Sequence, residues 1–243
     1  MSEQFSRSAA LLGEDAMTRL HSARVAVFGV GGVGGYVVEA LVRSGVGAVD
    51  VFDKDDISIT NLNRQIIALH STVGQDKVKV IAARMRDINP DVVINEHKMF
   101  YLPENADEID LTAYDFVVDA VDTVAAKIEL AVRCERLGVP LIAAMGAGNK
   151  LDPSKLQIAD IYKTNVCPLA RAMRTTLRKK GVKHLTVAYS TEEPLHPVVP
   201  LDSEDQRLAG SLRKDVPASA AFVPSAMGLL IASHVVRQIA FGA

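Results

Sequence analysis

Short unbroken apolar runs alternate along most of this chain with longer stretches in which apolar residues recur every three or four positions. The runs predict strands at 24–29, 48–53, 92–96, 116–118 and 139–144, because a strand buried on both faces has no polar side. The helical spacing predicts helices at 8–20, 32–44, 75–88 and 123–137. In the first, Leu11, Leu12, Ala16, Met17 and Leu20 share one side and Ser8 caps the start. In the third, Val78, Ile81, Ala82, Met85 and Ile88 form the apolar face, closed by Asn89-Pro90. Residues 54–73 are polar and irregular, and 103–113 read as a short acidic helix or loop. Strand and helix repeated in this order predict an α/β fold, Rossmann-like, with a mainly parallel central sheet flanked by helices.

After Gly146-Ala147-Gly148 the alternation weakens. Candidate strands at 156–162 and 184–190 flank a helix at 168–180 and predict antiparallel strands added to the same sheet in the C-terminal half. Residues 191–217 hold four prolines and mixed charges, the composition of a mobile, functional loop. The most apolar stretch, 218–243, is interrupted by Pro224, His234 and Arg237. It predicts a buried or peripheral helix, compatible with peripheral membrane contact but not stable insertion.

A length of 243 residues with 49% apolar content can fill one large core. The expected organisation is a single domain over 1–243, with a nucleotide half at 1–150 and a substrate half at 151–243. Two cysteines cannot build a disulfide framework or a four-thiolate zinc site, and the acidic start MSEQFSRSAALLGEDAM does not read as a signal peptide, so a cytoplasmic setting is expected. A net charge of −2 excludes a generally basic nucleic-acid binder yet leaves room for local patches. One such patch lies between Lys163 and Lys183, with seven basic residues and no acids. Arg171, Arg174 and Arg178 recur at helical spacing and Lys179 and Lys180 follow, a cationic face that suits a phosphate backbone. A solvated helix with cations near its C-terminus is the plainer reading. The six histidines show no metal-ligand or catalytic spacing.

The stretch from Arg24 to Arg64 organises the candidate chemistry. Its first strand runs into Gly29, Gly31, Gly32 and Gly34, whose bare backbone lets a ligand approach a helix N-terminus, where free N–H groups favour phosphate. With Asp53 placed 19 positions after Gly34, this is the dinucleotide fingerprint, and alone it allows a nicotinamide or flavin enzyme. The loop from Asp53 to Gln65, DKDDISITNLNRQ, changes the picture by concentrating carboxylates, amides and an arginine directly after the ribose-binding strand. Hydride transfer gives no reason for that cluster. Phosphoryl or nucleotidyl chemistry does, because charge on phosphorus oxygens needs positioned donors and cations.

GVGGVG, DxDxIxxxNLNRQ, GQDKVK around Lys77 and VVDAVD ending at Asp122 together resemble the ThiF/MoeB/HesA family, the adenylating branch related to ubiquitin-activating enzymes. FSRSAALLGEDAM, NRQIIALHSTVGQDK, YKTNVCPLARAMRTTLRKKGVKH and FVPSAMGLLIAS resemble its subgroup that dehydrates threonylcarbamoyladenosine in tRNA. The resemblance implies a homodimer that uses ATP and Mg²⁺ to adenylate a carboxylate. In the subgroup the carboxylate belongs to the threonylcarbamoyl group on a tRNA adenosine, and ring closure removes one water. Residue by residue, it implies that Gly29, Gly31, Gly32 and Gly34 lie against the nucleotide, Asp53 holds the ribose and Asp55 adds to the ATP site. Arg64 and Lys77 neutralise the triphosphate, and Asn61 and Gln65 lie near the phosphates. Asp122 binds Mg²⁺, Asp119 points elsewhere, and Arg7 reaches the partner subunit's ATP, so Arg64, Lys77, Asp122 and Arg7 make the catalytic set.

Adenylation of the C-terminus of a ubiquitin-like sulfur carrier is the alternative activity. That branch commonly carries paired CxxC motifs, which this chain lacks. Some relatives imply a sulfur-transfer or cysteine-desulfurase partner. Cys134, on an apolar helix face, reads as a core residue, and Cys167, before Pro168 at a helix start with basic neighbours, as a capping or packing residue.

Overall fold

β1 (Arg24–Phe28) runs through the centre of the molecule, and its Val25, Ala26, Val27 and Phe28 are wholly shielded from water. A computed structural model describes residues 3–199 and 217–242, so residues 200–216 of the proline-containing stretch lie outside the described part. β2 (Ala48–Phe52) and β4 (Phe116–Asp119) pair with β1 in parallel on either side. β3 (Val93–His97) extends the sheet beyond β2, and β5 (Leu141–Ala144) lies beyond β4. β6 (Leu156–Asp160) and β7 (Thr186–Ser190) complete a seven-stranded order β3-β2-β1-β4-β5-β7-β6. β7 still runs parallel to β5, while β6 and β7 form the expected antiparallel pair. Strand order reverses between β1 and β4, so a crevice opens at their carboxyl ends.

The helices cover both faces. α3 (Gly34–Arg43), α4 (Lys77–Ile88) and α7 (Phe222–Phe241) pack with α2 (Glu14–Ser22) in one core. α5 (Val124–Leu137) and α6 (Pro168–Lys179) cover the other face. Between α3 and α4, Arg84 pairs with Glu39 at 2.8 Å.

The expected single helix over 8–20 is instead two, α1 (Ser6–Leu12) and α2. Gly13, at φ +88°, ends the first before its apolar spacing can continue, so Ser8 lies inside α1 and Leu11 is exposed. α7 is long and apolar enough to cross a membrane. Its Val223, Met227, Ile231 and Val235 are nevertheless buried in the core. Both cysteines are buried, and burial pushes the Cys134 thiol up to about 12. Cys167 packs in the α6 core at the helix start, which fits the packing role expected of it.

Candidate active site

The glycine turn after β1 is shaped by close backbone approach. A Cβ on Gly34 would lie 1.7 Å from the Gly29 carbonyl oxygen, and one on Gly29, itself at φ +87°, would lie 2.7 Å from that of Ala120. Only glycine lets the turn fold this tightly and press against the residues following β4. The Gly29 amide donates to the Phe52 carbonyl at 2.7 Å, tying the turn to the end of β2.

Asp53 follows immediately after β2. Its two carboxylate oxygens accept from the Val30 and Asp55 amides, each at 2.9 Å, so the carboxylate sits across the mouth of the glycine turn. Burial pushes its pKa up, with Lys77 and the two amides opposing. Backbone bonds stitch the loop after Asp53 to the start of α4, from Ile57 to Gln75 at 2.9 Å and from Lys77 to Asp55 at 3.2 Å. That stitching carries Lys77 across the loop, where Nζ lies 3.1 Å from Asp55 and 3.8 Å from Asp53.

Within the loop, Asn61 Oδ1 accepts from the Ser58 amide at 3.1 Å while the Gln65 amide donates to the Asn61 carbonyl at 2.9 Å. Asn61 therefore braces the NLNRQ turn as well as lining the cleft. Arg64 Nη1 donates to the Thr60 carbonyl and to Asn63 Oδ1, both at 2.9 Å, and pairs with no carboxylate among the described residues. Burial lowers its pKa. Beside it, Gln65 is buried and its Oε1 has no hydrogen-bond partner among the described residues. A half-buried guanidinium held by neutral oxygens can take an anionic oxygen, while the Gln65 Oε1 needs a donor, such as a hydroxyl or an N–H.

These groups line a cleft of about 440 Å³ that reaches Gly29, Gly31, Gly32, Asp53, Asp55, Asn61, Arg64, Gln65, Lys77 and Asp122. Its size suits a nucleotide. Gly34 is not in the lining; it sets the turn from beneath. Asp122 enters from the turn after β4, where the Thr123 hydroxyl donates to it at 3.4 Å. Asp119 does point elsewhere, into a buried ion pair with Lys127 at 2.9 Å. Arg7 does not line the cleft of its own chain and stands exposed on α1.

The basic face of α6 divides into two kinds of cation. Arg174 donates to the Thr164 carbonyl at 3.1 Å and to the Thr164 hydroxyl, and Arg178 lies 5.1 Å over the Tyr162 ring. Arg171, Arg178, Lys179 and Lys180 are exposed, and Arg174 is half-buried. Arg174 is thus tied through Nη1 to the turn after β6.

The cleft also has walls that no local motif marks. Lys54 Nζ stacks 4.1 Å over the Phe100 ring, and Gly148, Pro217, Ser219 and Pro224 bring the far rim from distant parts of the chain. Asn63 Nδ2 donates to the Ser219 carbonyl at 2.9 Å, joining that rim to the NLNRQ loop. Of these, Lys54 is an unspecified position of the DxDxIxxxNLNRQ loop and Pro224 falls within FVPSAMGLLIAS, while Phe100, Gly148, Pro217 and Ser219 belong to no segment that carries a family resemblance.

Fold and cleft define an α/β protein of nucleotide-binding type, with a glycine turn, an arginine and a lysine lining one cleft. The chain belongs to the ThiF family, whose model matches residues 5–240. It is 45% identical over 242 residues to the tRNA threonylcarbamoyladenosine dehydratase of Bacillus subtilis (strain 168), covering 98% of this chain and 95% of that protein. The crystal structure of the Escherichia coli enzyme TcdA in complex with AMP aligns with a TM-score of 0.87 at 33% identity, covering 98% of this chain and 94% of the other. Its complex with ATP gives 0.86, with 98% and 93% covered. The maize adenylyltransferase and sulfurtransferase MOCS3-2 is 34% identical over 166 residues, 68% of this chain but 33% of that protein.

Proposed function

We propose that this chain catalyses the ATP-dependent dehydration of threonylcarbamoyladenosine in tRNA by adenylating its carboxylate. The carboxylate oxygen attacks the α-phosphorus and pyrophosphate leaves. A nucleophile of the same modified nucleoside then attacks the activated carbonyl, closing a ring as AMP departs, and the net change is loss of one water. A carboxylate already joined to its nucleophile needs no thioester relay, which agrees with two buried cysteines, neither in the cleft. The observation that carries the reading is Arg64, which meets no carboxylate among the described residues, in a chain that matches the named dehydratase of Bacillus subtilis along nearly all its length.

In this reading Asp53 accepts from the ribose hydroxyls, and Arg64 and Lys77 meet the phosphates, Lys77 exchanging a carboxylate for a phosphate oxygen. Asp122 would hold Mg²⁺. Among the described residues no group of three or more His, Cys, Asp or Glu side chains could form a metal cage. A lone carboxylate fits an ion that takes its remaining ligands from phosphate and water and neutralises charge on the phosphate oxygens when bound. The exposed cations of this face, Arg171, Arg178, Lys179 and Lys180, would meet the tRNA backbone, and Arg7 would act across a homodimer.

The test is nucleoside mass spectrometry of tRNA bearing threonylcarbamoyladenosine, incubated with ATP, magnesium and the protein. Loss of one water is expected with wild type and not with Asp122→Ala, which should still bind tRNA. Equal ATP consumption without the modified tRNA would refute the substrate. Pyrophosphate exchange requiring a small carrier protein would move the chain to the sulfur-carrier activity.

A further inference from the structure

Beneath Asp122 lies a charged pair that the reaction as described leaves unused. Lys127 is 1% exposed and Asp119 0% exposed, with 2.9 Å between Nζ and Oδ1. Three features make the pair an expensive choice for stability. Both charges leave water, and an apolar pair of similar volume in such a place is often as stable or more so. Asp119 Oδ2 is buried with no hydrogen-bond partner among the described residues. Lys127 also sits in the first turn of α5, where the helix dipole disfavours a cation.

What the pair does achieve is geometric. Asp119 is the last residue of β4, and Lys127 belongs to the helix that opens at Val124. The ion pair ties strand end to helix start and closes the turn 120–123 between them. Asp119 Oδ1 also accepts from the Val121 amide at 3.2 Å, holding the turn from inside. On its other side the Ala120 amide donates to the Phe28 carbonyl at 2.8 Å, and the Ala120 carbonyl fills the place of a Cβ on Gly29. The turn that carries Asp122 is thereby pinned between the buried pair and the phosphate-binding glycines.

We infer that Lys127 and Asp119 are positioning residues that hold Asp122 at the height where it meets a divalent cation on the nucleotide phosphates. The inference rests on the assignment of Asp122 to the metal. Outer partners of a metal ligand act by fixing its orientation, so disturbing them weakens the metal while the rest of the site persists.

The experiment measures Mn²⁺ binding by electron paramagnetic resonance in the presence of a non-hydrolysable ATP analogue, with AMP affinity without metal and the thermal midpoint measured alongside. Lys127→Met should bind Mn²⁺ about tenfold more weakly, the lower end of what loss of an outer partner does, while AMP affinity stays within about twofold. Lys127→Arg, which keeps the ion pair, should recover most of the Mn²⁺ affinity. Should Lys127→Met fail to fold, Asp119→Asn, which removes the charge and keeps the size, takes the same measurement with the same expectation. Mn²⁺ binding like wild type in the variant that folds, or an equal loss of AMP and Mn²⁺ binding, overturns the inference. Asp122→Ala separates the two ideas. If it keeps wild-type Mn²⁺ affinity, the metal assignment itself has failed; if it loses Mn²⁺ while Lys127→Met does not, only the positioning role has.

Discussion

Two lysines near the carboxyl edge of the sheet carry the same charge, reach aspartates at strand ends and are almost wholly out of water. Lys77 is 5% exposed and meets Asp55 at 3.1 Å and Asp53 at 3.8 Å. Lys127 is 1% exposed and meets Asp119 at 2.9 Å. The difference lies in what the pairs face. Lys77 lines the cleft, and its nearer carboxylate is half open to solvent, so a phosphate oxygen can replace it. Lys127 does not line that cleft; it ties the end of β4 to the start of α5. Burial and charge alone therefore do not tell a binding group from a brace; access to the cleft does.

The most damaging way to probe that contrast is Lys77→Met. In the proposed role of Lys77 at the triphosphate, its removal should lower kcat/KM by about a thousandfold, in the range of single charge-stabilising groups in active sites. Pyrophosphate release with modified tRNA reads this directly. A loss below about tenfold, with a fall in thermal midpoint, would put Lys77 beside Lys127 among the braces.

A smaller effect comes from pH, and its sign separates binding from folding. Burial raises the Asp53 pKa, and in the proposed role it is the ionised form that would accept from the ribose hydroxyls. AMP affinity should therefore fall as pH drops through that raised value, at a higher pH than an ordinary aspartate would require. Folding runs the other way: a carboxyl raised in the folded state contributes most below its unfolded pKa, and the contribution is lost as pH rises through the folded one. Asp53→Asn should flatten the pH profile of AMP binding, read by calorimetry. Asp119→Asn should leave the midpoint in place, because that carboxyl is sealed from the ligand. A profile unchanged in Asp53→Asn would remove Asp53 from the ribose.

The contrast also marks how far the sequence could be read. The glycine turn, Asp53 and the NLNRQ loop are legible because a strand end and its following turn are contiguous in the chain, so their chemistry is written in order. Lys127 falls inside VAAKIELAVRC, where one lysine on a helix reads as a solvated charge, and only the packing of α5 on β4 reveals its partner. Gly13 is legible as a residue type, but the apolar spacing on either side of it masks the break between α1 and α2. The far rim of the cleft joins Asn63 to Ser219, 156 positions apart, and no local pattern carries such a contact.

The gentlest test carries the same distinction to α6, where Arg171 is exposed and Arg174 is bonded to the turn after β6. A cation that contacts tRNA phosphate releases counterions on binding, so its removal lowers affinity and flattens the dependence on salt. Arg171→Ala should weaken tRNA binding a few-fold and reduce the slope of log affinity against log salt by about 1. Arg174→Ala should leave that slope unchanged and instead lower the thermal midpoint, since it strips donors from the Thr164 carbonyl and hydroxyl. Filter binding across a salt series distinguishes them. If the two variants change the slope equally, Arg174 leaves its partners when RNA arrives, and the division of α6 into open and committed cations does not survive.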